Sequence, residues 1–292
     1  MHSWGILAAV LSSGLGGTAV GATRYLAGTL DPITIGAVRF AGGFLVLLPL
    51  AMARRGRWPA SRDWAGIAVL GCLFFALFPI LFNASLIHTS AARGALALST
   101  VPLLTMAVAA FLRVEPLTVR KIAGVLIAMA GVTIALSTSL STAPTGSWRG
   151  DLLMLAAALC MALYNVGSRP FIASSGPITF TALGMGTGAV CLSILAATTG
   201  GLARLSGLDA TQWGAVLYLA VVCGALIFFL WAYALGSTTP TLVAISVAVN
   251  PITASAFGIL LLDEHVGAHL LFGLGAILLG IATASGSSFR RR

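Results

Sequence analysis

Charge is what this chain lacks. Only 8% of its residues are Asp, Glu, Lys or Arg, and just seven are acids. A soluble domain carries roughly 25% charged residues, so this composition cannot cover a water-facing surface. Cysteine is scarce too. Cys72, Cys160, Cys191 and Cys223 all lie within apolar runs and none forms a CxxC pair, which fits small buried side chains better than a redox or metal motif. No Asp or Glu falls near the middle of an apolar run, so the intramembrane acid that a proton-coupled carrier normally carries is missing. No nucleophile–base pair or metal cluster shares one depth, which argues against a membrane-embedded enzyme. There is no basic stripe with interleaved aromatics, so nucleic acid is not an expected partner. The net charge of +9 sits in short connections and tails, where a membrane protein keeps it. The first apolar run is long and has no basic n-region before it, and a retained helix is expected there, not a cleaved leader.

What the chain does have is apolar length, with 59% hydrophobic residues and 34 glycines. A spanning helix needs about 20 apolar residues. Ten runs qualify, at about 3–23, 33–53, 63–86, 91–112, 118–138, 150–170, 177–199, 211–235, 240–261 and 267–286. Glycine at this abundance suits helices that pack closely in lipid.

The runs come in two sets. Residues 64–136 return 149 positions later without a gap: Trp64 as Trp213, Leu77 as Leu226, Pro102 as Pro251, Glu115 as Glu264, Gly124 as Gly273 and Gly131 as Gly280. Pro32, Ile33 and Thr34 return as Pro177, Ile178 and Thr179. One five-run unit is therefore written twice, over 1–140 and 150–292, with 141–149 as a Ser- and Thr-rich linker. An odd number of spans puts the second copy in the membrane upside down, the usual plan of carriers that open alternately to each side. With the N-terminus in the cytoplasm, eleven Lys and Arg residues fall on the cytoplasmic side and four on the other. That bias predicts both termini inside. The fold expected is all-α and integral to the membrane: ten helices, in two inverted five-helix repeats, around a central cavity.

Candidate site residues follow from depth. Pro102 and Pro251 sit near the middle of the fourth and ninth runs, where each frees a backbone carbonyl that must face protein or a wet cavity. Ser99 and Thr100 precede the first, Ser246 and Asn250 the second. Asn83 and Asn165 are the other deep amides, with Tyr164 beside the latter; each is either a helix–helix tie or part of a pathway. Phe75, Phe78, Phe228 and Trp231 belong to the aromatic-rich third and eighth runs and are candidates to line an apolar cavity. Arg39 is the only guanidinium well within a run; snorkelling to the interface and pairing with a substrate carboxylate are both open to it, and a structural role is expected. His88 ends the third run. Glu115 and Glu264 precede the fifth and tenth, where each can stabilise a helix start and form a joint or gate contact. Asp263, Glu264, His265 and His269 lack the HExxH pattern, and no metal or cofactor is expected.

These residues resemble the drug/metabolite transporter superfamily in its EamA-type, ten-span form. The resemblance rests on Asp31-Pro32 followed by Arg39-Phe40, on Thr89 to Ala97, on Pro102, on Glu115-Pro116-Leu117-Thr118 and on Gly124 to Gly131, with Pro177, Pro251, Glu264, Gly273 and Gly280 in the second copy. The chain is similar to the broad amino-acid exporters of the YddG kind. The resemblance implies a carrier in a bacterial inner membrane that exports small metabolites, amino acids foremost, and a monomer is expected. The missing deep acid points to a facilitator. A multidrug or nucleotide-sugar-like carrier is the alternative, as is proton coupling, for which His88 is the one candidate group. Many relatives have a Trp-Gly pair early in the first run, where this chain reads Ser12-Ser13-Gly14-Leu15-Gly16-Gly17.

Overall fold

The computed structural model describes residues 2–53, 57–89, 94, 97–135, 148–250, 252–253 and 268–285, and these contain helices and connections but no strand. In chain order the helices are α1 (His2–Leu26), α2 (Pro32–Ala53), α3 (Ser61–His88), α4 (Val101–Phe111), α5 (Val119–Ala135), α6 (Trp148–Gly167), a short helix Arg169–Ser175, α7 (Pro177–Thr198), α8 (Ala210–Ser237), α9 (Pro240–Val249) and α10 (Ala268–Ser285). Six of them, α1, α2, α3, α6, α7 and α8, are long and apolar enough to cross a membrane. Over the described residues α4, α5, α9 and α10 are shorter than 20 residues.

Local chemistry sets the helix starts. The Asp31 carboxylate accepts from the backbone N–H of Ile33 and Thr34, at 3.0 Å each, and from Thr34 Oγ1 at 2.6 Å, which satisfies donors that the first turn of α2 leaves free. Burial pushes this carboxyl up, but the hydrogen bonds outweigh it and hold Asp31 below its ordinary value. Asp209 and Gln212 form a reciprocal capping box at α8. Gly176 takes a positive φ of 80°, which no side chain opposes, and breaks the short helix from α7.

The packing is the same when the two halves are exchanged. Helix α5 packs on its own counterpart α10, and α2 on its counterpart α7. The contact of α1 with α8 is matched by that of α6 with α3, and α2 with α8 by α7 with α3. Glycines bring the counterparts together. A Cβ on Gly124 would lie 2.6 Å from the Gly280 carbonyl, one on Gly280 2.6 Å from the Gly124 carbonyl, and one on Gly131 2.8 Å from the Gly273 carbonyl. Only residues without side chains allow this backbone approach, the usual way helices associate in lipid. Contact runs from Gly124 to Gly280 and from Gly131 to Gly273, so α5 and α10 are antiparallel. Likewise Gly36 faces Leu192 and Gly43 faces Met185 across α2 and α7.

Helices α3, α8 and α9 depart from α geometry, and a turn interrupts the fourth run ahead of α4. Helix α3 is π-helical over Leu73–Leu77 and α8 over Leu219–Leu226. These stretches are repeat counterparts, since Leu77 corresponds to Leu226. In the fourth run the chain turns at Ser99–Thr100 before α4 begins. In α9 the segment Val247–Val249 tightens to a 3-10 turn just before Asn250. Such departures recur at functional sites, because they loosen the backbone ladder locally.

Candidate functional site

An aromatic cluster lies between the halves, with Phe74 and Phe75 from the π segment of α3 and Phe228 from α8 just beyond its π segment. Phe75 of α3 is fully buried, with ring centres 5.3 Å from Phe40 of α2, 5.0 Å from Phe228 of α8 and 5.8 Å from Tyr164 of α6. The Tyr164 ring stacks on Phe74 at 4.2 Å, and Phe78 follows Phe74 at 5.4 Å along α3. Sequence reasoning found Phe75, Phe78, Tyr164 and Phe228 but missed Phe40 and Phe74. The Arg39-Phe40 pair carried the signal for Phe40; nothing in the local pattern singled out Phe74.

Of the readings open to Arg39, snorkelling is the one its geometry does not follow. Its side chain crosses to α8, where Nε and Nη2 donate to the Cys223 carbonyl at 3.2 and 2.7 Å. Cys223 lies midway along the Ala210–Ser237 span, inside the π segment. Looser backbone pairing there leaves a carbonyl open to an outside donor. The guanidinium also lies over two rings, 5.4 Å from the centre of Phe40 and 5.5 Å from that of Phe228, an attraction that strengthens as water is excluded.

Asn165 and Trp231 form a tie between α6 and α8. Asn165 is fully buried; its Oδ1 accepts from Trp231 Nε1 at 3.0 Å and its Nδ2 donates to Thr105 Oγ1 at 3.4 Å. Both polar atoms of this amide bond to neighbouring helices. Thr105 of α4 completes the tie and had no sequence signal. A second polar seam joins α1 to α9. Ser13 and Ser246 share a hydrogen bond at 2.9 Å, Ser246 Oγ donates to the Ala9 and Val243 carbonyls, and Ser12 Oγ donates to the Ile227 carbonyl at 2.8 Å. A Cβ on Gly16 would lie 2.8 Å from Asn250 Oδ1. The small-residue stretch of α1 is therefore approached from α9 by Asn250, whose buried Oδ1 has no partner among the described residues.

The expectation for Pro102 needs a correction. Pro102 is not inside a continuous helix but in the first turn of α4, where the missing N–H would have been unpaired anyway. Buried Ser99 and half-buried Thr100 form the preceding turn, and Thr100 Oγ1 donates to the Ala97 carbonyl at 2.7 Å. The span breaks here; it does not kink. Pro251 lies outside the described residues. Asn83 is half-buried in α3, and His88 is exposed at its end.

Glu115 is a joint between halves. It is 5% exposed, and its Oε1 lies 2.6 Å from Lys121 Nζ. Its Oε2 accepts from Thr241 Oγ1 at 3.0 Å and from the Thr241 backbone N–H at 3.3 Å. The helix start it stabilises is that of α9, across the repeat, rather than that of α5 ahead of it. Lys121 Nζ also donates to the Pro116 carbonyl at 3.1 Å. Glu264, together with Asp263 and His265, lies outside the described residues.

The chain matches the model of the EamA-like transporter family twice, over residues 3–137 and 148–286. It is 27% identical to the uncharacterized transporter YyaM of Bacillus subtilis over 90% of this chain and 87% of that one. It is 31% identical to the uncharacterized protein PA1977 of Pseudomonas aeruginosa over 87% and 84%. A probable terminal-alkyne amino-acid exporter of Streptantibioticus cattleyicolor is 26% identical over 70% of this chain and 65% of its own length. A crystal structure with 21% identity superposes over the whole of both chains with a TM-score of 0.80, so the fold is shared. The chain belongs to the EamA-like transporter family, within the drug/metabolite transporter superfamily, and is a multi-pass membrane transporter.

Proposed function

We propose that this transporter exports small metabolites, amino acids with apolar or aromatic side chains foremost, from the cytoplasm by alternating access. The observation that carries the reading is the self-matching packing. Counterpart helices α5 and α10 cross antiparallel through Gly124 and Gly280, and so do α2 and α7. Antiparallel counterparts support two inverted five-helix repeats, 1–140 and 150–292, joined by the linker 141–149, with ten spans in all. In such a pair, whatever closes one side of the membrane has a counterpart that closes the other.

The substrate path would run between the halves, past Phe75, Phe78, Asn83, Ser99, Thr100, Pro102, Tyr164, Asn165, Phe228, Trp231, Ser246, Asn250 and Pro251. Helices α3, α4, α8 and α9 would rock around it, because these are the ones with π, turn or 3-10 departures at mid-span. Glu115 bound to Thr241 and Lys121 would be the cytoplasmic latch. All seven acids, Asp31, Asp63, Glu115, Asp151, Asp209, Asp263 and Glu264, lie at span ends or in connections. Nothing deep can carry a proton with the substrate, so a facilitator follows. The arginine bias supports a bacterial inner membrane with both termini cytoplasmic. The exporter of Streptantibioticus cattleyicolor supports amino acids over drugs.

Purified protein in liposomes tests this. Efflux of loaded apolar amino acids should follow their own gradient and barely change with an imposed pH gradient. Uphill accumulation driven by pH and abolished by His88→Ala would replace the facilitator by a proton-coupled carrier. Movement of cationic drugs but of no amino acid would favour the multidrug reading.

A further inference from the structure

We infer that Arg39 is the anion-recognition group of the substrate path, so that the transported molecule is held by a carboxylate, with an ammonium group dispensable. The inference rests on the transport reading above. A guanidinium is always charged at physiological pH. A charge deep in a span normally has a counter-charge or faces a cavity. Arg39 has no protein counter-charge among the described residues. All seven acids of the chain are at span ends or in connections, and the nearest in sequence, Asp31, is eight residues away, about 12 Å along a helix. Asp31 is itself committed to the Thr34 hydroxyl and the start of α2.

The guanidinium is nonetheless held in place. Of its five N–H donors, one on Nε and one on Nη2 go to the Cys223 carbonyl. Rings of Phe40 and Phe228 flank it. Three N–H groups remain without a protein acceptor among the described residues, enough for the two parallel bonds of a carboxylate. The side chain is half-buried rather than sealed. Its repeat counterpart is Gly184, so the positive charge is not repeated on the other side. An incoming ammonium finds no matching anion anywhere in the spans; it can meet only amides, hydroxyls and ring faces. The path therefore selects for a carboxylate on an apolar body and against cations.

Three probes separate the charges: L-phenylalanine, 3-phenylpropionate, which lacks the ammonium, and L-phenylalaninamide, which lacks the carboxylate. Thermal stabilisation of the detergent-solubilised protein is measured with each, for the wild type, Arg39→Lys and Arg39→Gln, alongside flux in liposomes. Phenylalanine and 3-phenylpropionate should stabilise the wild type at concentrations about tenfold or more below those needed for phenylalaninamide, the preference of a charge-assisted pair over a neutral one. Arg39→Lys should keep the ranking with weaker binding, and Arg39→Gln should lose it. Equal stabilisation by phenylalaninamide in the wild type overturns the inference, as does no stabilisation by either carboxylate. An unchanged ranking in Arg39→Gln that elutes as a single folded species does so too. Carboxylate binding that depends on Arg39 without any flux would instead refute the transport reading and leave the anion site standing.

Discussion

Individual side chains in this protein act across helix interfaces. The indole of Trp231 and the amide of Asn165 are buried and satisfy each other, so removing one strands the other. Trp231→Phe and Asn165→Leu should each lower stability by about 1–3 kcal/mol, the cost of an unpaired buried polar group. The double variant should lose less than the sum of the two. Thermal unfolding in detergent measures this cycle, and strict additivity would show that the bond contributes nothing. Glu115 is the sharper case, because its partner Lys121 is buried as well. Glu115→Gln leaves a buried ammonium unpaired and should destabilise by about 3–5 kcal/mol. Glu115→Gln combined with Lys121→Met should recover part of the loss, because the stranded charge is gone. If it recovers nothing, the bonds to Thr241 carry the joint, not the ion pair.

At the scale of helices, the breaks matter more than the lengths. Pro102 in the first turn of α4 stops that helix from growing back through Thr100 and Ser99. Pro102→Ala costs no intrahelical bond, so the protein should fold and insert normally. It should nevertheless transport poorly, since a helix extended through the turn loses the loosened backbone beside the path. Wild-type efflux in Pro102→Ala would reduce the turn to packing. The π segment of α3 begins at Leu73, directly after Cys72, whose Sγ lies 3.5 Å from Cys191 Sγ on α7. Sequence reading treated these thiols as separate core residues. A copper-catalysed oxidant should convert the pair to a disulfide, read as the loss of two maleimide-reactive thiols under denaturing conditions, with Cys191→Ser abolishing it. Cys72 remaining fully reactive would mean that α3 and α7 do not share this contact in the membrane.

For the whole molecule, the duplicated unit and the antiparallel packing of counterparts lead to a topology. Single cysteines at Ser141 and Ser288, in a background without native cysteines, should label from opposite sides of the membrane, with Ser288 on the cytoplasmic side. Labelling of both from one side would refute the five-plus-five inverted arrangement. At the glycine crossing α5 and α10 touch backbone to backbone through Gly124 and Gly280. The Gly131–Gly273 contact is the repeat counterpart of this one, since Gly131 corresponds to Gly280 and Gly124 to Gly273.

Membrane class and duplication were legible in the chain itself, because both are written in runs of identity and hydropathy that no tertiary contact can alter. Pro32 and Pro177 also marked where helices begin, and the repeated glycines where they meet. Which face of each helix looks inward was not legible. A span in lipid is apolar all round, so Phe75 in the core and Leu77 on the surface look alike in sequence. The target of Arg39, the partner of Asn165 in Thr105, the approach of Cys72 to Cys191 and the capping of α9 by Glu115 all join residues dozens to hundreds of positions apart. The π segments left no trace either, because they arise where neighbouring helices pack on them. Those features were decided by tertiary structure, since a buried polar group takes whatever partner the packing brings within reach.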